Sequence, residues 1–163
     1  MVTVNILLST YNGEKYLSDQ IESILNQTFK GWTLLIRDDD SSDSTAEIIK
    51  GYESKDARIK FINKNKIENI GIHKSFKSLA KFSDADWYFL CDQDDVWLPN
   101  KIENMLNYTG EKSEEAKLVY SDLTTVDSNL NIISERIRNS KGHEAPILKD
   151  YLLQPTVTGC EIG

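Results

Sequence analysis

The chain has 163 residues, 28% charged and 39% hydrophobic, with only three prolines and eight glycines. This composition excludes a disordered or fibrous chain, and a domain of this length buries roughly 70% of its extended surface, so its core needs no metal or disulfide staple. Nineteen Lys and Arg against 26 Asp and Glu leave a formal charge of −7, which argues against nucleic acid as a partner because few phosphates would be neutralised. If the ligand of such an acidic protein is itself anionic, some carboxylates must hold a cation between the two.

The first element expected is a strand over Val2 to Ser9, apolar and β-branched, ending at the turn-forming group Thr10-Tyr11-Asn12-Gly13. Between Glu14 and Gln27, Leu17, Ile21, Ile24 and Leu25 recur at a helical period, and Trp32 to Arg37 is again strand-like. Strand, helix and strand in so short a span predict a βαβ unit with parallel pairing. The pattern continues with a helix over Ser44 to Tyr52, a strand over Ile59 to Asn63, a helix over Ile72 to Phe82 and a strand over Trp87 to Cys91. A further helix is expected after Pro99 and a strand over Leu118 to Ser121. The alternation predicts an α/β fold: a mostly parallel sheet flanked by helices. Ile132-Ile133 reads as a short strand, Ser134 to Pro146 as a polar loop and Ile147 to Leu153 as a brief helix. Strand-like residues from Thr156 end the chain at Gly163 with no element after them, the pattern of a C-terminal truncation.

Cys91 and Cys160 lie far apart without zinc-ligand spacing, as expected of reduced thiols in a cytosolic protein. The N-terminus lacks the pattern of a signal peptide, and no run approaches the ~20 apolar residues of a membrane span.

Two acidic clusters interrupt the pattern. Asp38-Asp39-Asp40 with Asp43 follows the second strand, and Asp92-Gln93-Asp94-Asp95 follows the fourth. Both are expected at carboxyl ends of parallel strands, the edge where open α/β sheets bind ligands. On an extended segment Asp92 and Asp94 would face one side, a hard oxygen pair suited to Mg²⁺ or Mn²⁺ when substrate phosphates complete the shell. The alternative is a solvated acidic turn. Asp38 and Asp40 have the same spacing, but Asp38 and Asp39 are better suited to accept hydrogen bonds, for example from the imide N–H of uracil or thymine. Asp43 and Ser44 are explained by helix capping. Tyr11 is placed either to stack on a base or to pack at the sheet edge, and Thr10 to bind the ring or ribose. His73 and His143 read as ordinary surface residues.

Leu8 to Gly13 (LSTYNG), the run Gln20 to Thr28, the segment Arg37 to Thr45 (RDDDSSDST) and Cys91 to Trp97 (CDQDDVW) together resemble family 2 glycosyltransferases, most closely bacterial rhamnosyltransferase-like members. The resemblance covers nearly the first 125 residues. It implies a GT-A (Rossmann-like) fold, a dTDP- or UDP-sugar donor, a divalent metal and inversion at the anomeric carbon. Carried onto this chain, it places Thr10, Tyr11 and Asp39 around the pyrimidine, with Asp38 in support. It places Asp92 near the ribose or donor sugar, Asp94 on the metal, Gly71 at a turn beside the donor and Lys74 near the diphosphate. Asp40 stands where the family often has glycine, which predicts a left-handed turn that Asp tolerates. The catalytic base is expected beyond Gly163, making residues 1–163 the donor-binding part, and Asp122, Asp127 and Glu161 are acids that no motif selects. The resemblance also implies a saccharide or lipid-linked acceptor and a cytoplasmic location at the inner membrane face. A noncatalytic nucleotide-sugar or glycan-binding module and a phosphoryl-transfer protein are the competing classes.

Overall fold

The computed structural model describes residues 2–109, 116–121 and 123–134. The chain forms two compact units, residues 1–108 and 109–163.

The first unit runs β1 (Val4–Thr10), α1 (Leu17–Leu25), β2 (Trp32–Asp38), α2 (Thr45–Lys55), β3 (Ile59–Phe61), α3 (Ile72–Ala80), β4 (Trp87–Cys91) and α4 (Lys101–Tyr108). All pairings are parallel, in the order β3-β2-β1-β4. The expected elements are present, with ends shifted by a few residues. The strand order reverses at β1, because the chain winds outward through β2 and β3 and then returns to β1's other side with β4. Such a reversal opens a crevice at the carboxyl edge.

Both faces of β1 are covered, which is why it reads as a continuous apolar run. Val4, Ile6 and Leu8 pack with Leu17, Ile21 and Ile24 of α1, Ile49 of α2 and Ile102 of α4. On the other face Leu7 and Leu35 pack against Leu79 of α3. The result is three layers, with helices on each side of a four-stranded sheet. At the edge, β4 alternates: Phe89 and Cys91 are buried while Tyr88 and Leu90 are exposed.

In the second unit, β5 (Thr125–Val126) and β6 (Ile132–Ser134) form an antiparallel pair. Asp127 builds the turn: its carboxylate accepts the Asn129 and Asn131 backbone N–H groups and the Asn131 side-chain amide. The strand at Ile132-Ile133 is therefore present. The strand expected over Leu118 to Ser121 is not: those residues are irregular. The helix expected over Ile147 to Leu153, the last strand, Cys160, His143, Asp122 and Glu161 lie outside the described residues. Among the described residues no helix is long and apolar enough to cross a membrane.

The alternation in β4 gives a direct check on its register. Phe89→Ala should cost about 3–5 kcal/mol in urea unfolding, whereas Leu90→Ser next to it should cost less than about 1 kcal/mol. Equal costs at both positions would contradict the strand's placement.

Candidate functional site

The carboxyl ends of β1, β2 and β4 lie side by side, with Thr10 paired to Asp38 and Leu8 to Cys91. Both acidic clusters thus emerge on the same edge of the sheet, flanking the loop that follows β1.

That loop is stitched to the cluster after β2. Asn12 donates its N–H to Ser41 Oγ, while its Oδ1 accepts the Ser42 N–H. Gly13 donates to Thr45 Oγ1 and Glu14 to Asp43 Oδ2. The Asp43 carboxylate also accepts the N–H of Thr45, the first residue of α2, while Ser44 stands at the N-cap position without the side-chain capping bond expected there. On the other side, the Gln93 amide bonds both backbone groups of Tyr11, linking the same loop to the cluster after β4.

Within the first cluster the three adjacent carboxylates have different fates. Asp38 is fully enclosed, accepting from Thr10 Oγ1 at 2.8 Å and from the Ser41 N–H and Oγ–H. Asn63 clamps the Asp38 backbone, accepting its N–H and donating to its C=O. Asp40 has φ +71°, so the backbone reverses there and Asp40 is exposed. The chain therefore makes the left-handed turn expected of it, and Asp38 and Asp40 do not share a face despite their spacing.

Asp39 is the third case. It is buried, and its carboxylate accepts from Arg37 Nη1 at 2.6 Å, the Ile70 N–H at 2.8 Å and the Gly71 N–H at 2.9 Å. Burial by itself raises this carboxyl, but the Ile70, Arg37 and Gly71 hydrogen bonds outweigh it and hold Asp39 below the usual carboxylate range. Arg37 is buried as well, and its second nitrogen donates to the Glu68 C=O at 2.8 Å. Gly71 has φ +79° and ψ 152°, a conformation open essentially only to glycine. α3 begins immediately after it, and Lys74 is exposed on the first turn of that helix.

The second cluster hangs on α1. Beside its apolar stripe, α1 carries a buried polar one. Gln20 donates to Cys91 Sγ, and Ser23 Oγ accepts the Trp97 N–H at 3.0 Å. Just past the helix, Gln27 donates to the Leu98 C=O and accepts the Ile102 N–H. Both ends of the acidic segment are therefore fixed from beneath.

β4 ends at Cys91, and the chain turns at Gln93-Asp94 rather than continuing as the extended segment expected of the D-x-D. The carboxylates still crowd one another. The surrounding protein and then the Asp94 charge raise Asp92, and burial followed by the Asp92 and Asp94 charges pushes Asp95 up to about 6. Burial lowers Lys101, although the Asp95 charge opposes the shift.

Among the described residues no three His, Cys, Asp or Glu side chains gather as a metal cage. Among those residues a divalent ion finds no cage made of protein ligands alone. One shared between the Asp92 and Asp94 carboxylates and a diphosphate suits this donor set, because Mg²⁺ typically takes only one or two protein carboxylates and completes its shell with phosphates and water. Cys91 is a buried free thiol, and burial raises it well above its ordinary range, so it is no nucleophile. Asp127 is spent on its turn: the Asn131 and Asn129 hydrogen bonds lower its carboxyl, which makes it a poor base.

Arg37, Asn63, Gln93 and the Gln20/Ser23/Gln27 stripe were not among the expected site residues. Only the polar residues at helical spacing in α1 gave a signal that periodicity could have read.

The sequence pattern described as glycosyl transferase family 2 matches residues 5–160. An uncharacterised glycosyltransferase of Methanocaldococcus jannaschii is 34% identical over 134 residues, 81% of this chain and 45% of its own length. The Escherichia coli UDP-Glc:alpha-D-GlcNAc-diphosphoundecaprenol beta-1,3-glucosyltransferase WfgD is 35% identical over 104 residues, 64% of this chain and 40% of that one. The chain spans less than half the length of either. Among solved structures, mannosyltransferase PcManGT from Pyrobaculum calidifontis, in complex with GDP-Man and Mn²⁺, superposes with a TM-score of 0.60. At 14% identity over 68% of this chain and 33% of that one, the likeness is one of fold.

Two stability measurements test this geometry. Asp39→Asn leaves the buried Arg37 unpaired and should cost about 3–5 kcal/mol at neutral pH. Because folding lowers the Asp39 pKa, its ionic contribution is complete above the ordinary carboxylate range and is lost as pH falls through the lower folded value. The gap between wild type and variant in urea melts should therefore narrow in acid below about pH 4, and a gap independent of pH would contradict the ion pair. Gly71→Ala should cost about 1–3 kcal/mol through backbone strain alone, since a Cβ there meets nothing within 4 Å; an unchanged melting temperature would contradict the reported φ.

Proposed function

The chain belongs to glycosyl transferase family 2 and has the GT-A fold, and from that premise we propose that it forms the donor-binding part of an inverting glycosyltransferase. The donor is a nucleoside diphosphate sugar, dTDP-rhamnose or a UDP-hexose. The acceptor is a saccharide or lipid-linked saccharide of cell-surface polysaccharide synthesis, which sets the reaction in the cytoplasm at the inner face of the membrane. The observation that carries this reading is the β1 loop, hydrogen-bonded on one side to the Asp38–Asp43 cluster and on the other to the Asp92–Asp95 cluster.

Each residue's part follows from its surroundings. Asp39 accepts three internal hydrogen bonds and, with roughly four lone-pair positions on a carboxylate, keeps capacity for about one more donor. The single imide N–H of uracil or thymine matches that vacancy, and cytosine and adenine offer no such group there. The Tyr11 ring, 53% exposed, supplies a flat face for the base. Thr10 and Asp38 bond to each other, so their part is to fix the loops that carry Tyr11 and Asp39. Gly71 presents its N–H to Asp39 at the entry to α3, and Lys74, exposed on the first turn of that helix, would be the cation that meets the diphosphate.

Asp92 and Asp94 would hold Mn²⁺ or Mg²⁺ together with that diphosphate, and the ion would supply charge stabilisation to the leaving group. In the reaction itself the acceptor oxygen bonds to C1 of the sugar while the C1–O bond to the diphosphate breaks on the opposite face. The acceptor proton passes to a general base. Asp127 is engaged by the hydrogen bonds of its turn, and among the described residues none is assigned as that base.

The test is a thermal-shift panel of dTDP, UDP, GDP and ADP with and without Mn²⁺. Because the ion is proposed to be shared with the diphosphate, Mn²⁺ alone should protect little. A pyrimidine diphosphate with Mn²⁺ at about 100 times its Kd should add about 2.7 kcal/mol, several degrees in Tm for a chain this size. Asp94→Asn should remove the metal-dependent part. Protection by no nucleotide, or by ADP as well as by UDP, would contradict the proposal.

A further inference from the structure

Gln93 stands between Asp92 and Asp94, yet its side chain turns to a different task. Its Oε1 accepts the Tyr11 N–H at 2.9 Å, and its Nε2 donates to the Tyr11 C=O at 3.0 Å. A side-chain amide that meets both backbone groups of one residue continues the β1–β4 link past the last strand pair, Leu8 with Cys91. It fixes the position of Tyr11 along the strand direction as well as across it, because one bond accepts and the other donates. The Asn63 amide grips the Asp38 backbone in the same way on the far side of β1.

A second observation bears on the same amide. Gly13 is buried against Gln93, and a Cβ at Gly13 would lie 2.5 Å from Oε1 and 2.9 Å from Cδ. Real Cβ atoms do not approach that closely, so any larger residue at position 13 evicts the amide from its seat. The β1 loop has a glycine where this side chain needs the room.

The geometry points to Gln93 as a positioning residue that couples the nucleoside end of the donor site to its metal end. This inference rests on the donor-binding reading above and assigns a part to a residue that reading leaves without one. Peptide bonds join Gln93 to both carboxylates of the D-x-D, and two hydrogen bonds join it to the residue whose ring faces the base. A shift of the turn bearing Asp92 and Asp94 therefore moves the Tyr11 backbone, and a base ordered against Tyr11 in turn holds the two carboxylates in place. Binding at either end should strengthen binding at the other, and by linkage the strengthening is reciprocal.

The experiment measures the Kd of UDP and of dTDP by calorimetry with and without saturating Mn²⁺, and takes the ratio of the two values as the coupling. Gln93→Met keeps the length of the side chain and removes both hydrogen bonds. Gly13→Ala leaves Gln93 chemically intact and displaces it. Supporting groups around metal ligands are worth about 10- to 100-fold in affinity, so each variant should lower the ratio about tenfold or more. The double variant should lower it no further, because both changes act through one amide. Both variants should keep a single cooperative urea transition, which a general loss of structure would not allow. A ratio within about twofold of wild type in Gln93→Met, or additive losses in the double variant, would overturn the coupling role. Should Gln93→Met fail to fold, Gly13→Ala decides alone. Wild type that binds neither nucleotide would instead sink the donor-binding reading, and this inference with it.

Discussion

The arrangement depends on the hydrogen bonds that the loop after β1 makes to both of its neighbours. Seven acidic residues lie in two clusters, Asp38, Asp39, Asp40 and Asp43 after β2 and Asp92, Asp94 and Asp95 after β4. Like charges drive such segments apart and toward water. Here backbone amides and neutral side chains counter that tendency. The loop runs from Tyr11 to Glu14 and reaches Gln93 on one flank and Ser41, Ser42, Asp43 and Thr45 on the other. The parallel sheet supplies the frame, since β1 lies between β2 and β4 and all three strands end at one edge.

The two clusters are stabilised by different means. After β2 the charge is internalised: Asp38 is surrounded by hydroxyl and amide donors, and Asp39 is paired with Arg37 and capped by two backbone N–H groups. Asp39 is held below the usual carboxylate range by those donors. After β4 the segment is anchored through its backbone by Ser23 and Gln27, while burial first and mutual repulsion second raise Asp92 and Asp95. A cluster whose charge is already satisfied suits a neutral hydrogen-bond donor such as a base. A cluster left with unsatisfied negative charge suits a cation. The contrast agrees with the proposed division of the donor site into a base end and a metal end.

Much of the fold was legible because the physics behind it is local. β1 and β2 carry apolar runs, Ile6 to Leu8 and Leu34 to Ile36, because both their faces are covered, and α1 declares itself through Leu17, Ile21 and Ile24. Asp40 was readable too: an aspartate in a glycine's place predicts a left-handed residue, and φ is +71°. What the sequence withheld depends on distant partners. Gln93 looks like a spacer inside D-Q-D until Tyr11, 82 residues earlier, is seen against it. Arg37 has the look of a strand-end charge facing solvent, and only the approach of Asp39 and Glu68 explains its burial. The extended geometry expected for Asp92 and Asp94 failed because those side-chain tethers, invisible to spacing rules, turn the chain at Gln93. Leu118 to Ser121 has strand-forming residues but is irregular, since strand propensity depends on context more than on composition.

The central claim is that a single ligand touches both acidic segments across the β1 loop. Paramagnetic broadening of backbone amide signals by Mn²⁺ in the presence of a pyrimidine nucleoside diphosphate addresses it most directly. The account predicts that the signals of Thr10–Gly13, Asp38–Ser41 and Asp92–Asp95 fade together, while those at the opposite end of the sheet, Thr3, Trp32 and Trp87, persist. Fading confined to one acidic segment, or scattered over carboxylates across the surface, would contradict it.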